Sequence, residues 1–275
     1  MFNKTKKHVF FIEGGDNVGK TTTIQNFKRT EFISNLKYNR LCFSKYPTLR
    51  ATDNINRLMN EYKQLEDMKK DMDRHLYNTS KKEILHNIIE FMVSDMMFSF
   101  CNDNDIDQYI VNYPEDILNI CDRGFISTYL YQYKNMPAVT KVSVSEDKEL
   151  EMLKEFVDMY IPYSYNTLSV IILNNNMDTK IIKQLPTDET ETIEYKKNFD
   201  NDTDLQRRIN STLNNIVKLI DQHKLDDLKA INRYKLTEIR PIRFYYINIF
   251  DSTGLIRKSP DEICEEILSI INKED

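Results

Sequence analysis

A chain of 275 residues, 40% hydrophobic and 29% charged, has the apolar content for one large core, or for one domain with insertions, and reads as an ordinary soluble protein. Its net charge of −5 argues against a broad nucleic-acid-binding face. Cys42, Cys101, Cys121 and Cys264 include no C-x-x-C pair, and His8, His75, His86 and His223 are dispersed, so no zinc site is expected and the cysteines read as reduced residues of a cytoplasmic protein.

The basic stretch 1–7 is followed by an apolar run, residues 8–12 (HVFFI), too short for a signal peptide or a membrane span; it reads as a buried strand. Next, Gly14-Gly15-Asp16-Asn17-Val18-Gly19-Lys20-Thr21 matches G-x-x-x-x-G-K-[ST], and residues 21–29 read as a helix leading out. In that setting the backbone N–H groups of Gly14, Gly15, Asn17, Val18 and Gly19 close around phosphates at a helix N-terminus. Lys20 reaches the outer phosphates, and the Thr21 hydroxyl, with Thr22 beside it, holds Mg²⁺.

Residues 40–45 (RLCFSK) read as a second strand, ended by Tyr46-Pro47. Residues 51–72 have a helical pattern, with Ile55, Leu58, Met59 and Tyr62 near helical spacing. A second long helix is expected over 81–100, capped by Thr79 or Ser80. Residues 116–122 (DILNICD), 168–173 (LSVIIL) and 244–250 (FYYINIF) read as three further strands, and Ser259 caps a last helix to Ile271 with Pro260 in its first turn. Strands separated by helices imply an α/β fold, a parallel sheet covered on both faces. Residues 136–148 read as a loop ending in a helix cap. Residues 174–204 are rich in acids, opposed only by Lys180, Lys183, Lys196 and Lys197. They read as a solvated surface excursion and, placed after the fourth strand, as a lid over the phosphate site.

Asp122-Arg123-Gly124-Phe125-Ile126-Ser127-Thr128 is the second chemical motif. An acid at the end of an inner strand, beside a phosphate loop, holds Mg²⁺ through water or accepts a proton, and the adjacent arginine grips a phosphate bidentately. A structural ion pair is the competing reading of the same two residues.

With both motifs in view, residues 11–22 (FIEGGDNVGKTT) resemble the opening of thymidylate kinases. Tyr46-Pro47-Thr48-Leu49-Arg50 looks like that family's aromatic-Pro-x-Arg segment with one extra residue. Asp122-Arg123 followed by Ser127-Thr128 and Tyr131-Gln132 is similar to its Asp-Arg-aromatic and Ser-x-x-x-Tyr segment. Leu205-Gln206-Arg207-Arg208-Ile209 resembles the helix after its lid, and residues 251–271 resemble its last strand-to-helix turn, where adenine lies. The likeness spans nearly the whole chain in order.

The resemblance implies a single P-loop kinase domain over 1–275: three αβα layers and a five-stranded parallel sheet of order 2-3-1-4-5. A lid around 174–204 and an enlarged acceptor-side helical region around 51–112 complete it. It implies ATP-dependent, Mg²⁺-assisted phosphorylation of a deoxynucleoside monophosphate to the diphosphate, the base being thymine or an altered or modified one. Lys20 and the loop hold the donor, Thr21 binds the metal, and Asp122 supports the metal or the acceptor. Arg50 and Arg123 clamp the acceptor phosphate, Asp16 faces the sugar 3′-hydroxyl, Tyr131 packs where a 2′-hydroxyl would clash, and Thr128 touches the base edge. Phe91 falls where the family stacks a ring on the base, although packing among Ile88, Ile89 and Met92 explains it equally. The implied partner is a small nucleotide, with no role for a membrane and with nucleic acid disfavoured. A homodimer through helices on one side is also implied, with the apolar 84–100 helix as candidate surface.

Three departures shape the expectation. Asp95 stands where the family has an arginine that donates to thymine; a carboxylate only accepts, which suits an exocyclic amine better. Asn17 occupies the loop position, and no arginine occurs in the lid, where the family carries a catalytic arginine; the four lid lysines, Arg207 or Arg208 are the substitutes at hand. Gly124 replaces an aromatic or histidine and leaves space beside the acceptor phosphate. A deoxynucleoside kinase is disfavoured because Ser44-Lys45-Tyr46-Pro47 offers no carboxylate after the second strand. A kinase of a modified base, free or within DNA, and a catalytically weakened nucleotide-binding homologue are the remaining alternatives.

Overall fold

Phe10, Phe11 and Ile12 are fully buried, and the strand that carries them, β1 (Lys7–Gly14), lies inside the sheet rather than at its edge. The computed structural model describes residues 7–16, 18–34, 36, 38, 40–45, 49–101, 117–136, 145–161, 167–174, 203–231, 239–251 and 256–274. In chain order β1 is followed by α1 (Lys20–Phe27), α2 (Thr30–Ile33), β2 (Arg40–Lys45), α3 (Leu49–Asp67), α4 (Arg74–Cys101), β3 (Ile117–Asp122) and α5 (Phe125–Tyr131). Then come α6 (Glu146–Tyr160), β4 (Thr167–Asn174), α7 (Thr203–Asp221), β5 (Lys229–Ile231), β6 (Ile239–Asn248) and α8 (Pro260–Glu274).

Five strands are parallel and run β2-β3-β1-β4-β6, the order expected for the five predicted strands. A sixth, β5, extends the edge antiparallel to β6, pairing Lys229 with Pro241. Along β1, Val9 and Phe11 face one core, built with α4, α5, α6 and α7, while Phe10 and Ile12 face the other, built with α1 and α8. This alternation is the two-residue period of a strand covered on both faces. Leu85, Ile88, Ile89 and Val93 of α4 are buried in the first of these cores, whereas Leu76 near the start of the helix is exposed. Register matters most at the C-terminal edge: Ile12 lies opposite both Asp122 of β3 and Ile171 of β4, which brings the exit of β1 level with the Asp122 carboxylate. Among the described residues no helix is long and apolar enough to cross a membrane.

The start of α4 corrects the expected cap. The helix begins at Arg74, and Asp73 caps it, its Oδ1 accepting from the N–H groups of His75 at 2.9 Å and Leu76 at 3.1 Å. Thr79 instead donates its hydroxyl back to the His75 carbonyl at 3.0 Å, inside the helix. Ser259 does cap α8, in a reciprocal arrangement: its Oγ accepts from Glu262 N–H at 3.3 Å, and Glu262 Oε2 accepts from Ser259 N–H at 2.7 Å. Cys121 and Cys264 are buried, whereas Cys42 is only partly so; all three are free thiols.

At the opposite edge of the sheet a buried polar knot ties the end of α8 to the strands. Glu274 lies 2.6 Å from His8 Nε2 and 3.1 Å from Arg243 Nη1, and accepts from Ser169 Oγ at 3.0 Å. Burial pushes its carboxyl up, but hydrogen bonds from His8 and Tyr245 and the charge on His8 outweigh that and hold it below the usual carboxylate range. A depressed carboxyl stabilises the fold above its unfolded pKa and ceases to do so as pH falls through its folded one. Glu274→Ala therefore lowers unfolding stability by about 2 kcal/mol at neutral pH. Urea midpoints check this, and the gap between parent and variant closes below the carboxylate range.

Candidate functional site

The chain turns from β1 into α1 through two glycines that nothing larger can replace. At Gly14, φ is 147°, and a Cβ there would stand 2.7 Å from the Leu173 carbonyl oxygen and 2.9 Å from Val18 Cγ2. Gly19, at φ 89°, occupies the N-cap position of α1. Among the described residues no side-chain cap hydrogen bond is made there, and no acid occupies the first turn, so the helix N-terminus is presented as a site for an anion. Asn210 of α7 comes close to the loop, its Oδ1 lying 3.3 Å from where a Gly15 Cβ would be.

Lys20 is 6% exposed and donates its ammonium to the carbonyls of Gly14 at 3.1 Å and Gly15 at 2.6 Å. Burial, and after it the neighbouring Arg123 charge, lowers the ammonium to about 8, against the opposing pull of Asp16, Glu13 and Asp122. Those residues surround the loop. Thr21 donates its hydroxyl to Asp122 Oδ2 at 2.9 Å; Asp122 is 4% exposed, and its Oδ1 has no hydrogen-bond partner among the described residues. A buried carboxylate oxygen left unmatched beside a hydroxyl is a donor set that suits a divalent cation, so these two residues fit Mg²⁺.

On the other side of the loop, Asp16 gathers two groups from beyond β3. The Arg123 guanidinium lies 3.4 Å from its Oδ1, and the Tyr131 hydroxyl donates to Oδ2 at 2.7 Å. Arg123 is held at φ 69°, a left-handed conformation unusual for a side chain of this size, by its own N–H bonding the Ile12 carbonyl at 3.1 Å. Glu13 is the residue that joins the two sides. Fully buried, it accepts from the N–H groups of Ile126 at 3.0 Å and Ser127 at 3.2 Å and from the Ser127 hydroxyl at 2.5 Å. Burial raises its carboxyl, partly opposed by those Ser127 bonds and by the charges on Lys20 and Arg123.

Of the residues singled out in the sequence, Gly14, Gly15, Asp16, Val18, Gly19, Lys20, Thr21, Asp122, Arg123 and Tyr131 converge here. Thr22 is half-buried in the first turn of α1, and Thr128 is buried on α5 one turn before Tyr131. Phe91 and Asp95 are one turn apart on α4, both partly buried, with Phe91 packed against the core that holds Tyr129 and Leu130. Arg50 stands in the first turn of α3, its side chain outside the described residues, as are Asn17, Tyr46-Pro47-Thr48 and 175–202 of the expected lid.

Gly124 is a correction. The expected space beside it is filled by a ring: a Cβ on Gly124 would stand 2.3 Å from Phe11 Cδ1. Glu13 and Asn210 went unassigned in the sequence; an acid closing an otherwise apolar strand was the signal available for the first, and nothing local marks the second. Arg208, one of the substitute arginines, donates to Asn135 Oδ1 at 3.3 Å, and Asn135 Nδ2 donates to the Tyr131 carbonyl at 2.6 Å, which brings α7 to the Tyr131 end of the site.

A crystal structure of thymidylate kinase from Ehrlichia chaffeensis is similar to this chain at 16% identity and a TM-score of 0.47, covering 97% of this chain and 99% of that one. No protein-family model and no curated protein matches the chain.

Proposed function

We propose that this protein is an ATP-dependent kinase that phosphorylates a deoxynucleoside monophosphate. The observation that carries the reading is the meeting, around one glycine loop, of a buried Lys20 and the Thr21–Asp122 pair on one side with the Asp16–Arg123–Tyr131 cluster on the other. Two phosphate-bearing substrates need such a pair of adjoining half-sites.

Lys20 and the N–H groups of α1 hold the donor phosphates, and Arg123, with Arg50, holds the acceptor phosphate in line. An oxygen of the acceptor phosphate attacks the γ-phosphorus while the bond to the β-phosphate oxygen breaks, releasing ADP. Thr21 and Asp122 are the residues that would hold Mg²⁺, which supplies charge neutralisation on the phosphates when bound. Asp16 receives the sugar 3′-hydroxyl, Tyr131 packs on the sugar, and Thr128 and Phe91 meet the base. Asp95, an acceptor, favours a base with an exocyclic amine or a modified base over thymine. Arg208 takes the part of the catalytic arginine that neither the loop nor the lid supplies.

A coupled ADP-release assay with ATP against nucleosides, deoxynucleoside monophosphates and oligonucleotides tests this reading. Turnover is expected with monophosphates, and with an amine-bearing base over thymidylate; a tenfold preference for thymidylate disposes of the Asp95 argument. Turnover confined to nucleosides or oligonucleotides disposes of the acceptor class. Arg208→Ala is expected to lower kcat roughly 10²-fold with KM for ATP little changed.

A further inference from the structure

The Arg257 guanidinium lies against the phosphate loop from a direction that the groups above do not use. A Cβ on Gly19 would stand 2.9 Å from Arg257 Nη2, so this nitrogen sits over the glycine at the N-cap of α1. The segment between β6 and α8 is built to hold it there. Phe250 and Arg257 form an antiparallel bridge, Asp251 N–H bonds the Ile256 carbonyl at 2.8 Å, and Lys258 N–H bonds the Ile249 carbonyl at 2.9 Å. Beyond the turn, α8 is fastened to α1: Cys264 Sγ donates to the Thr23 carbonyl at 3.4 Å, and Asn26 donates to Asp261.

That position is one where a bound anion meets positive charge from several directions. The N-terminus of a helix carries partial positive charge, the first turn of α1 holds no acid, and Lys20 adds a buried ammonium. Arg257 adds a half-buried guanidinium to that positive end of the helix, its pKa lowered by desolvation. An anion bound at the loop would be met by the dipole, the ammonium and the guanidinium together. Asp122 independently points to such a ligand, since its buried, unmatched Oδ1 beside Thr21 belongs to the same helix start and suits the cation of a metal–phosphate complex.

We propose that Arg257 is a donor-site arginine that grips the phosphate chain of the nucleotide at the loop, entering from the turn before α8. The inference rests on the kinase reading above and assigns a further charge to its donor half. A planar guanidinium suits this because it meets two phosphate oxygens at once, which an ammonium cannot. It also separates two tasks: Arg257 binds the donor, and Arg208 remains the group for the transition state.

The test is calorimetric titration of the full chain with ATP, with inorganic tripolyphosphate and with adenosine, for the parent, Arg257→Gln, Arg257→Lys and Lys20→Ala. Arg257→Gln is expected to weaken ATP and tripolyphosphate alike, by about tenfold, with adenosine unchanged. Arg257→Lys, keeping the charge without the fork, is expected to lose about threefold, and carries the test if the glutamine variant does not fold. Tripolyphosphate binding within twofold of the parent in both variants overturns the inference, as does a loss for ATP that tripolyphosphate does not share. If Lys20→Ala weakens tripolyphosphate while the Arg257 variants do not, only the role of Arg257 falls. If Lys20→Ala also has no effect, the phosphate-loop reading falls with it.

Discussion

Lys20→Ala is expected to slow ATP-dependent turnover roughly 10²- to 10³-fold while leaving the fold intact, because it removes a positive charge aimed at the transferring group. The side chain makes its hydrogen bonds to two carbonyls of its own loop, so its loss removes one donor from those two acceptors. A variant turning over as fast as the parent would end the phosphate-loop assignment. The same residue sets a pH dependence. With its ammonium lowered to about 8 by burial and by Arg123, the free protein is charged at Lys20 below that pH and neutral above it. kcat/KM for ATP is therefore expected to fall as pH rises through about 8. The fall in kcat comes at higher pH, since bound phosphates favour the ammonium. Initial rates across pH 6 to about 10 at low and saturating ATP separate the two limbs.

Gly124→Ala is expected to cost about 3 kcal/mol of stability, and the cause is a ring rather than the backbone. Gly124 is extended, at φ −168°, a conformation any residue adopts. Its added methyl would meet Phe11 at 2.3 Å, and Phe11 is fully buried with its ring edge-on to Phe125 at 5.6 Å between centroids. Close-packed neighbours give it nowhere to go. Phe11→Leu in the same chain should return part of the loss, so the double variant is less destabilised than the sum of the two single ones. Urea denaturation of the four proteins measures the coupling; a loss under about 0.5 kcal/mol for Gly124→Ala means the ring moves aside freely.

What the sequence disclosed and what it hid follow one division, between chemistry that is local and contacts that are distant. The strands were legible because uncharged runs such as Leu168 to Leu173 have few other uses, and β2 lies over the residues expected, 40–45. β5 escaped because three residues, Lys229-Ala230-Ile231, carry no period to detect. Thr79 looked like a cap because hydroxyls favour caps; Asp73 outcompetes it by reaching two free N–H groups. In the site, Lys20, Thr21, Asp122 and Arg123 announce themselves through spacing along the chain. The filling of Gly124 by Phe11 does not, since more than a hundred residues separate the two, and the approach of Arg257 to Gly19 spans more still. A glycine in a motif states that a side chain is absent; only the fold states what occupies the room.

Glu13 gives the site a mechanical property. Its carboxylate is fixed to β1 by the chain and to the start of α5 by three hydrogen bonds, so the glycine loop and α5 share one buried fastening. On the proposed kinase reading, two substrates landing on either side of that fastening arrive at a separation decided when the protein folded, and neither has to pull the other's half-site into line. The loss of freedom that makes a two-substrate reaction slow in water is thereby taken up during folding, once, instead of at every turnover.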